Sequence, residues 1–203
     1  MKLDNPAALL FDFDGVLVES YQLHRDTWKQ AYRNLFLHEM PEYPRDETSG
    51  LSPKKIARFL AADAGCEDQA DALLQEKYRL VLDGDLFPPL YDGVKELMDQ
   101  ISMAHIPLAI VSNAKREYVE KVVAHYSLPV VNLFGLDDFS KPKPDKEPYY
   151  KTALTLGILE NQFKRVYVFE DSMPGIQSAK AAGMIPVGVL TRHTAVEMKA
   201  AGV

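Results

Sequence analysis

Two pairs of acidic residues are placed where they could act together in catalysis or bind a cation. Asp12 and Asp14 follow the apolar run LLF in LLFDFDGV, and Glu170 and Asp171 follow VYVF in VYVFED. Like charges buried close together repel, so one carboxylate must take a proton or both must bind a cation. Taken alone, the first pair fits equally well a strand that ends in a solvated turn with Gly15 as its pivot.

The elements that must position these carboxylates have the pattern of a parallel sheet. Four apolar runs rich in valine, isoleucine and leucine are each followed by a turn and a helical pattern: AALLFDF, IPLAIVS, RVYVFED and MIPVGVL. This alternation is typical of parallel strands joined by crossover helices. Ligands bind such sheets beyond the carboxyl ends of the strands. We therefore expect both acidic pairs to lie at one edge of an α/β sheet.

The pattern changes from strands to helices between residues 21 and 89. Helical spacing of apolar residues runs through WKQAYRNLF, PKKIARFLAADAG and ADALLQEKYRLVL, and FPPLYDG has the composition of a linker. The sequence thus predicts a core domain of residues 1–20 and 90–203 with an all-helical domain, 21–89, inserted in it. Three aromatic residues at helical spacing are predicted to form the helical domain's core rather than a platform for a sugar. They are Trp28, Tyr32 and Phe36.

The composition limits the classes of partner. No apolar run approaches the roughly 20 residues that span a bilayer. The formal net charge is -6, and no block of basic residues favours binding to nucleic acid. The first residues lack the order of a signal peptide, and a single cysteine, Cys66, permits no internal disulfide. We expect a cytoplasmic protein that binds a small molecule, with neither nucleic acid nor membrane as partner.

Residues between the acidic pairs add to a possible anion site. Oxygen ligands without histidine or thiolate favour a hard divalent ion, and Mg2+ suits a site that also holds phosphate. Ser112 at the end of IPLAIVS can donate to a phosphoryl oxygen, and Lys141 in SKPKPDKEP can offset negative charge. Lys115 in the first turn of the predicted helix KREYVEKVVAHY opposes the helix dipole, which indicates a nearby anion. Each alone also fits a helix cap or a solvated side chain.

In order and spacing, these motifs resemble those of the haloacid dehalogenase-like hydrolases over nearly the whole chain. DFDGV resembles the first motif of that superfamily, Ser112 in IVSNA the second, Lys141 in KPKPD the third and FEDSMPGI the fourth. The resemblance implies a Rossmann-like core of parallel strands with a helical cap domain inserted after the first motif. It also implies a hydrolase that acts on phosphoric monoesters.

The resemblance implies a role for each motif residue. Asp12 would be the nucleophile that forms an aspartyl-phosphate, and Asp14 would be the general acid and base. Mg2+ would be held by the Asp12 carboxylate, the Asp14 backbone carbonyl and Asp171, with Glu170 bound directly or through water. The residues implied to hold the phosphoryl oxygens are Ser112, Asn113 and Lys141.

The segment VLVESYQLHRDTWKQAY resembles the cap entry of a subgroup that includes beta-phosphoglucomutase and sugar-phosphate phosphatases. By this resemblance His24 would help the acid/base aspartate engage the substrate, Lys115 would hold a distal phosphate, and Ser52 would lie in a cap loop at the active site. The mutase has an arginine where this chain has Pro53, and a nearby lysine would not replace its bidentate clamp on phosphate. The resemblance thus favours a monomeric, Mg2+-dependent phosphatase of a small phosphomonoester, such as a sugar phosphate.

Two other functions stay open at the level of sequence. One is a phosphomutase of the beta-phosphoglucomutase type, which His24 and Lys115 favour. The other is a catalytically silent binding protein on the same fold. Relatives usually continue beyond the final TRHTAVEMKAAGV into a further short strand and helix, so the sequence leaves the completeness of that sheet edge open.

Overall fold

The chain divides into two compact units. The computed structural model describes residues 4–43 and 52–203. One unit, called here the α/β unit, comprises the described residues within Met1–Glu19 and Pro88–Val203, and the other, the helical unit, those within Ser20–Phe87. The sequence placed these boundaries after residues 20 and 89, and the assignment of the units as catalytic core and cap stays a prediction.

The α/β unit is built on a sheet of five parallel strands in the order β3-β2-β1-β4-β5. The strands are β1 Ala8–Phe11, β2 Leu108–Val111, β3 Leu133–Phe134, β4 Val166–Glu170 and β5 Ile185–Gly188. The predicted α/β fold is confirmed, and the four apolar runs singled out in the sequence each contain a strand. The fifth strand, β3, is only two residues long, too short for an apolar run to mark it.

Side chains of β4 alternate between two environments. Val166 and Val168 are fully buried in the core, whereas Tyr167 and Phe169 on the opposite face are half-buried. Side chains in a strand point alternately to the two faces of the sheet, so Glu170, at the end of the strand, continues the buried side. The sheet thus carries a carboxylate into a fully buried position.

The register of the central strands brings the chemistry-bearing positions side by side. Phe11, the last residue of β1, is paired with Phe169 on one side and with Ile110 on the other. The next residues along the three strands are therefore neighbours at the carboxyl edge of the sheet. These are Asp12 after β1, Glu170 at the end of β4, and Val111, the last residue of β2, which Ser112 follows.

Three helices form the helical unit as far as it is described: α1 Tyr21–Phe36, α2 Pro53–Asp63 and α3 Ala70–Asp83. Ser52 caps α2 by accepting a hydrogen bond from the Lys55 amide (3.4 Å), and the missing amide of Pro53 costs nothing at the first helical position. The apolar faces of the helices meet in a shared core, called here the three-helix cluster. It contains Trp28, Ala31, Tyr32, Ala57, Leu60, Leu73 and Leu74, with Phe36 packed against it. The core role predicted for the aromatic residues is confirmed.

Five further helices belong to the α/β unit: α4 Val94–Met103, α5 Arg116–His125, α6 Glu147–Thr155, α7 Met173–Ala181 and α8 Ala195–Ala200. Side-chain caps fix where the last two begin: Ser172 accepts from the Gly175 amide, and Thr194 accepts from the Glu197 amide. Within residues 4–43 and 52–203, no helix combines the length and apolar character needed to cross a membrane.

Candidate active site

Three carboxylates meet at the carboxyl edge of the sheet. Oxygens of Asp12, Glu170 and Asp171 lie within 4.8 Å of one another, and all three residues are buried. We call this group the carboxylate cluster. It exists because β1 and β4 are adjacent parallel strands that end at the same level. The predicted convergence of the two acidic pairs is thus confirmed for these three residues.

A buried lysine, Lys143, lies in the middle of this site. Its Nζ donates hydrogen bonds to Asp12 Oδ1 (2.7 Å), to Glu170 Oε1 (2.7 Å) and to the Val111 carbonyl (2.8 Å). The side chain is only 3 % exposed. Burial alone would lower the pKa of Lys143, but its interactions with the two carboxylates outweigh burial and raise that pKa. Lys143 therefore supplies a permanent positive charge.

The structure corrects the sequence-based choice of lysine. The Lys141 side chain is 72 % exposed, and its Nζ lies 3.9 Å from Asp145 Oδ2. Lys143 points inward, and its backbone is held by Asn113. The Lys143 amide donates to Asn113 Oδ1 (3.1 Å), and Asn113 Nδ2 donates to the Lys143 carbonyl (3.4 Å). The predicted phosphate ligand Asn113 thus uses its side chain to position the loop, which leaves its backbone amide as the group that could bind phosphate.

Glu170 is bonded on both oxygens by groups of the protein. Oε1 accepts from Lys143 and from the Tyr149 hydroxyl (2.6 Å), and Oε2 accepts from the Ser172 hydroxyl (2.9 Å) and amide (3.2 Å). The start of α7 also packs tightly here, since a Cβ on Gly175 would lie 1.8 Å from the Glu170 carboxyl group. Glu170 is therefore an anchor for Lys143 more than a free metal ligand.

Asp171 differs sharply from its neighbour Glu170. Among the described residues neither of its buried carboxylate oxygens receives a hydrogen bond, although Arg192 Nε lies 3.1 Å from Oδ2. Burial is the main cause that raises the pKa of Asp171 to about 6, and Arg192 opposes that rise. The turn after β1 approaches Asp171 closely at Gly15, where a Cβ would lie 2.0 Å from Asp171 Oδ2. Gly15 also has a φ of +86°, which glycine adopts readily. Buried oxygens that lack donors are ready to bind a cation.

Asp12 is the most accessible carboxylate of the cluster. Its side chain is 12 % exposed, compared with 2 % for Asp171 and 0 % for Glu170. Burial first, and then the negative charge of Glu170, raise the pKa of Asp12 well above its usual range, whereas Lys143 acts in the opposite direction. An ionised Asp12 would be favoured by further positive charge at the site.

Asp14 lies outside the carboxylate cluster, half-buried in the turn that follows β1. The turn is closed by a hydrogen bond from the Gly15 amide to the Val18 carbonyl (2.9 Å). On α5 the buried Tyr118 is its electrostatic neighbour: burial first, and then the negative charge of Asp14, raise the pKa of the Tyr118 hydroxyl. The two aspartates of DFDGV therefore occupy different environments, and their separate roles in catalysis stay predictions.

The remaining predicted site residues are placed in two different units. Ser112 is buried at the end of β2, where its Oγ accepts a hydrogen bond from the Ala114 amide (2.9 Å). Lys115 is half-buried at the N-cap of α5, in the same unit. His24 is half-buried on α1 and Ser52 caps α2, both in the helical unit. The substrate roles of His24, Ser52 and Lys115 stay predictions.

The carboxylate cluster fits a hard divalent cation. Its three carboxyl groups face two cationic groups, the Lys143 ammonium and the Arg192 guanidinium, so the cluster has one more acidic group than basic groups. All candidate ligand atoms are oxygens, and such a set suits Mg2+ rather than zinc. Asp12 and Asp171 would hold the ion, because the Glu170 oxygens are already bonded.

Comparison with known proteins identifies the family. Residues 9–189 match the model of a haloacid dehalogenase-like hydrolase. The chain belongs to the haloacid dehalogenase-like hydrolases. The predicted family and the prediction of a hydrolase are confirmed.

Individual relatives agree with this assignment. Validoxylamine A 7'-phosphate phosphatase of Streptomyces hygroscopicus subsp. limoneus is 31 % identical over 189 residues, with 92 % of this chain and 86 % of that protein covered. Fructose-1-phosphate phosphatase of Escherichia coli strain K12 is 27 % identical, with 90 % and 96 % covered. The crystal structure of a HAD hydrolase, family IA, variant 3, from Entamoeba histolytica has a TM-score of 0.75 at 25 % identity, with 94 % and 86 % covered.

Sequence reasoning missed three side chains of the site. Lys143 has a local signal, since it precedes a proline in KPKPD just as Lys141 does, but that signal does not tell the two lysines apart. Tyr149 could have been marked as a large residue facing the core early in a helix, yet nothing local indicates its bond to Glu170. Arg192 follows the last apolar run with no pattern that links it to Asp171.

Proposed function

We propose that this protein is a Mg2+-dependent phosphatase that hydrolyses a small phosphomonoester, preferably a sugar phosphate, through an aspartyl-phosphate. The observation that carries the proposal is the partly accessible carboxylate of Asp12, bonded to the buried Lys143 beside the orphaned oxygens of Asp171. The phosphatase activities named for two relatives support the same reaction class, since one is named for validoxylamine A 7'-phosphate and the other for fructose 1-phosphate.

In the first step an Asp12 carboxylate oxygen attacks phosphorus and forms the acyl-phosphate bond. The bond between phosphorus and the ester oxygen breaks, and the electron pair stays on the departing alcohol oxygen, which takes a proton from the Asp14 carboxyl group. Lys143 is bonded to the attacking carboxylate and offsets negative charge as the phosphoryl group arrives. Its second bond, to Glu170, holds the ammonium in place.

In the second step water displaces Asp12 from phosphorus. Asp14, now a carboxylate, accepts a proton from that water, the acyl-phosphate bond breaks, and inorganic phosphate leaves with Asp12 regenerated. When bound, Mg2+ supplies charge neutralisation for the Asp12 carboxylate and for the phosphoryl oxygens. Phosphoryl oxygens would also accept hydrogen bonds from Ser112 and from backbone amides that follow Asp12 and Ser112.

The helical unit would act as a cap that selects the substrate, with His24 and Ser52 as its contact residues and Lys115 as a ligand for a distal anionic group. Pro53 begins α2 in place of the arginine of the mutase, which favours hydrolysis over transfer to a second hydroxyl. A cytoplasmic location and a monomeric state stay predictions.

The test is phosphate release from a panel of sugar phosphates, nucleotides, phosphoglycolate and an activated aryl phosphate, each with Mg2+ and with chelator. We expect Mg2+-dependent release concentrated on one class of small phosphomonoester. Interconversion of phosphate isomers without phosphate release would identify a mutase instead. Absence of turnover on every ester, including the aryl phosphate, would favour the silent binding protein.

A further inference from the structure

Arg192 contacts the carboxylate that is best prepared for a cation. Its Nε lies 3.1 Å from Asp171 Oδ2, which is its only ion pair within the described part of the chain. Lys143, by contrast, is shared among Asp12, Glu170 and the Val111 carbonyl. The Asp171 carboxylate therefore depends on Arg192 for its nearest positive charge.

The backbone around Arg192 is held on both sides. The preceding residue, Thr191, donates its hydroxyl to the Gly15 carbonyl (2.5 Å) in the turn after β1. Two residues later, Thr194 caps α8, and its hydroxyl and amide both donate to Glu197 Oε2. These contacts place the base of the Arg192 side chain beside the carboxylate cluster.

The guanidinium itself can leave. The Arg192 side chain is 27 % exposed, whereas Asp171 is 2 % exposed. A long side chain with one partner and access to water can turn outward, and an incoming cation would then replace its positive charge beside the buried aspartate. A divalent cation on Asp171 would repel a guanidinium that touches the same carboxylate. The two positive groups therefore compete for one ligand.

We propose that Arg192 is a displaceable counter-ion of the metal site, which neutralises Asp171 in the cation-free protein and must be expelled before a divalent cation binds there. Arg192 thus weakens cation affinity while it stabilises the cation-free protein. The inference rests on the proposed function, because that function assigns a divalent cation to Asp171.

The test measures binding of Mg2+ alone to the full chain by isothermal titration calorimetry, with no substrate present. We expect Arg192→Gln to lower the Kd for Mg2+ about tenfold, because the competing charge is gone. Arg192→Lys keeps the charge and should stay within about threefold of the wild type. Arg165→Gln is the matched control. Arg165 precedes β4 at the opposite edge of the sheet, where its Nε donates to the Asn5 carbonyl. The Kd of this variant for Mg2+ should therefore stay within about twofold of the wild-type value.

Thermal unfolding gives a second readout that does not depend on catalysis. In chelator, Arg192→Gln should unfold at a lower temperature than the wild type, since Asp171 loses its counter-charge. In saturating Mg2+ this deficit should vanish, because the cation replaces the guanidinium in both proteins.

The outcomes separate this inference from the proposed function. If Asp171→Asn abolishes Mg2+ binding but Arg192→Gln leaves it unchanged or weakens it, the proposed role of Arg192 is overturned and the metal site stands. If Arg192→Lys tightens binding as much as Arg192→Gln does, charge competition is refuted. If the wild type binds no Mg2+ at Asp171, the proposed metal site fails, and the inference with it.

Discussion

The carboxylate cluster and the three-helix cluster are both buried, but the first consists of charged side chains and the second of apolar ones. In the first, Asp12 and Glu170 are paired with the Lys143 ammonium and Asp171 with the Arg192 guanidinium. The second is made of aliphatic and aromatic side chains. A buried lysine next to it, Lys77, has its ammonium over the Trp28 ring, 5.8 Å from the centroid. Apolar burial stabilises a fold, whereas burial of carboxylates costs free energy that close partners only partly return.

We expect this difference to separate residues that maintain the fold from residues that would perform the proposed reaction. In the three-helix cluster, removal of atoms should reduce stability. In the carboxylate cluster, removal of a carboxylate should remove function and leave the fold intact, unless the change leaves other charges unpaired. Four substitutions test this division.

The largest expected effect is on activity, from Asp12→Asn. Loss of the proposed nucleophile should reduce turnover at least about 1,000-fold. The melting temperature should stay equal or rise, because burial raises the pKa of Asp12 and so disfavours its ionised form in the folded protein. Turnover and thermal unfolding of one preparation check both statements. Retained activity would remove Asp12 from the nucleophile role.

Lys143→Met should damage both function and fold. The change leaves Asp12, Glu170 and the Val111 carbonyl without their shared donor, at a cost of about 3 kcal/mol in the free energy of unfolding. The matched control is Lys141→Met, which removes an exposed ammonium and should cost less than about 0.5 kcal/mol. Urea unfolding followed by circular dichroism measures both. Equal losses in the two variants would contradict the assignment of Lys143.

Leu73→Ala should damage only stability. Leu73 is fully buried in the three-helix cluster, so its truncation should cost about 2–4 kcal/mol. Trp28, the single tryptophan, lies in the same cluster, and its fluorescence during urea unfolding reports the loss. Leu86→Ala, at a leucine that is 74 % exposed, is the control and should be close to neutral. If Leu86→Ala lowered the free energy of unfolding as much as Leu73→Ala does, Leu73 would not be a core residue of the three-helix cluster.

The smallest effect is expected from Glu76→Gln on α3. Glu76 accepts hydrogen bonds from Arg79 (2.8 Å) and from Asn34 on α1 (2.7 Å), and the Arg79 bonds are the main cause that lowers its pKa to about 2. The ionised form thus stabilises the fold above the usual pKa near 4.5, and this stabilisation is lost as the pH falls towards 2. At pH 7 the melting temperature should drop by no more than about 3 °C. The difference in melting temperature between the variant and the wild type should narrow below pH 4. A difference that stays constant with pH would argue against an ionic contribution of Glu76.

Much of the fold was predictable because it follows from local patterns. Apolar runs marked four strands, and helical spacing marked Trp28 and Tyr32 as core residues, since burial of such side chains is the main driving force. The convergence of Asp12 with Glu170 and Asp171 followed from one topological rule for parallel sheets.

What escaped prediction depends on contacts between distant segments. Lys141 and Lys143 share the same local context, and what distinguishes Lys143 is its set of hydrogen bonds with residues far away in sequence, Asn113 among them. The different environments of Glu170 and Asp171 likewise come from Tyr149, Ser172 and Arg192, whose contacts no periodic pattern encodes.

Changes in the length of β4 would be far more harmful than most substitutions in it. Tyr167 and Phe169 lie half-buried on one face, so another apolar side chain there would leave Glu170 where it is. A single inserted codon ahead of Glu170 would instead turn its carboxylate to the other face of the sheet, away from Tyr149 and Lys143. The position of Glu170 along the strand, counted in steps of two residues, is therefore as important for this site as the identity of its amino acids.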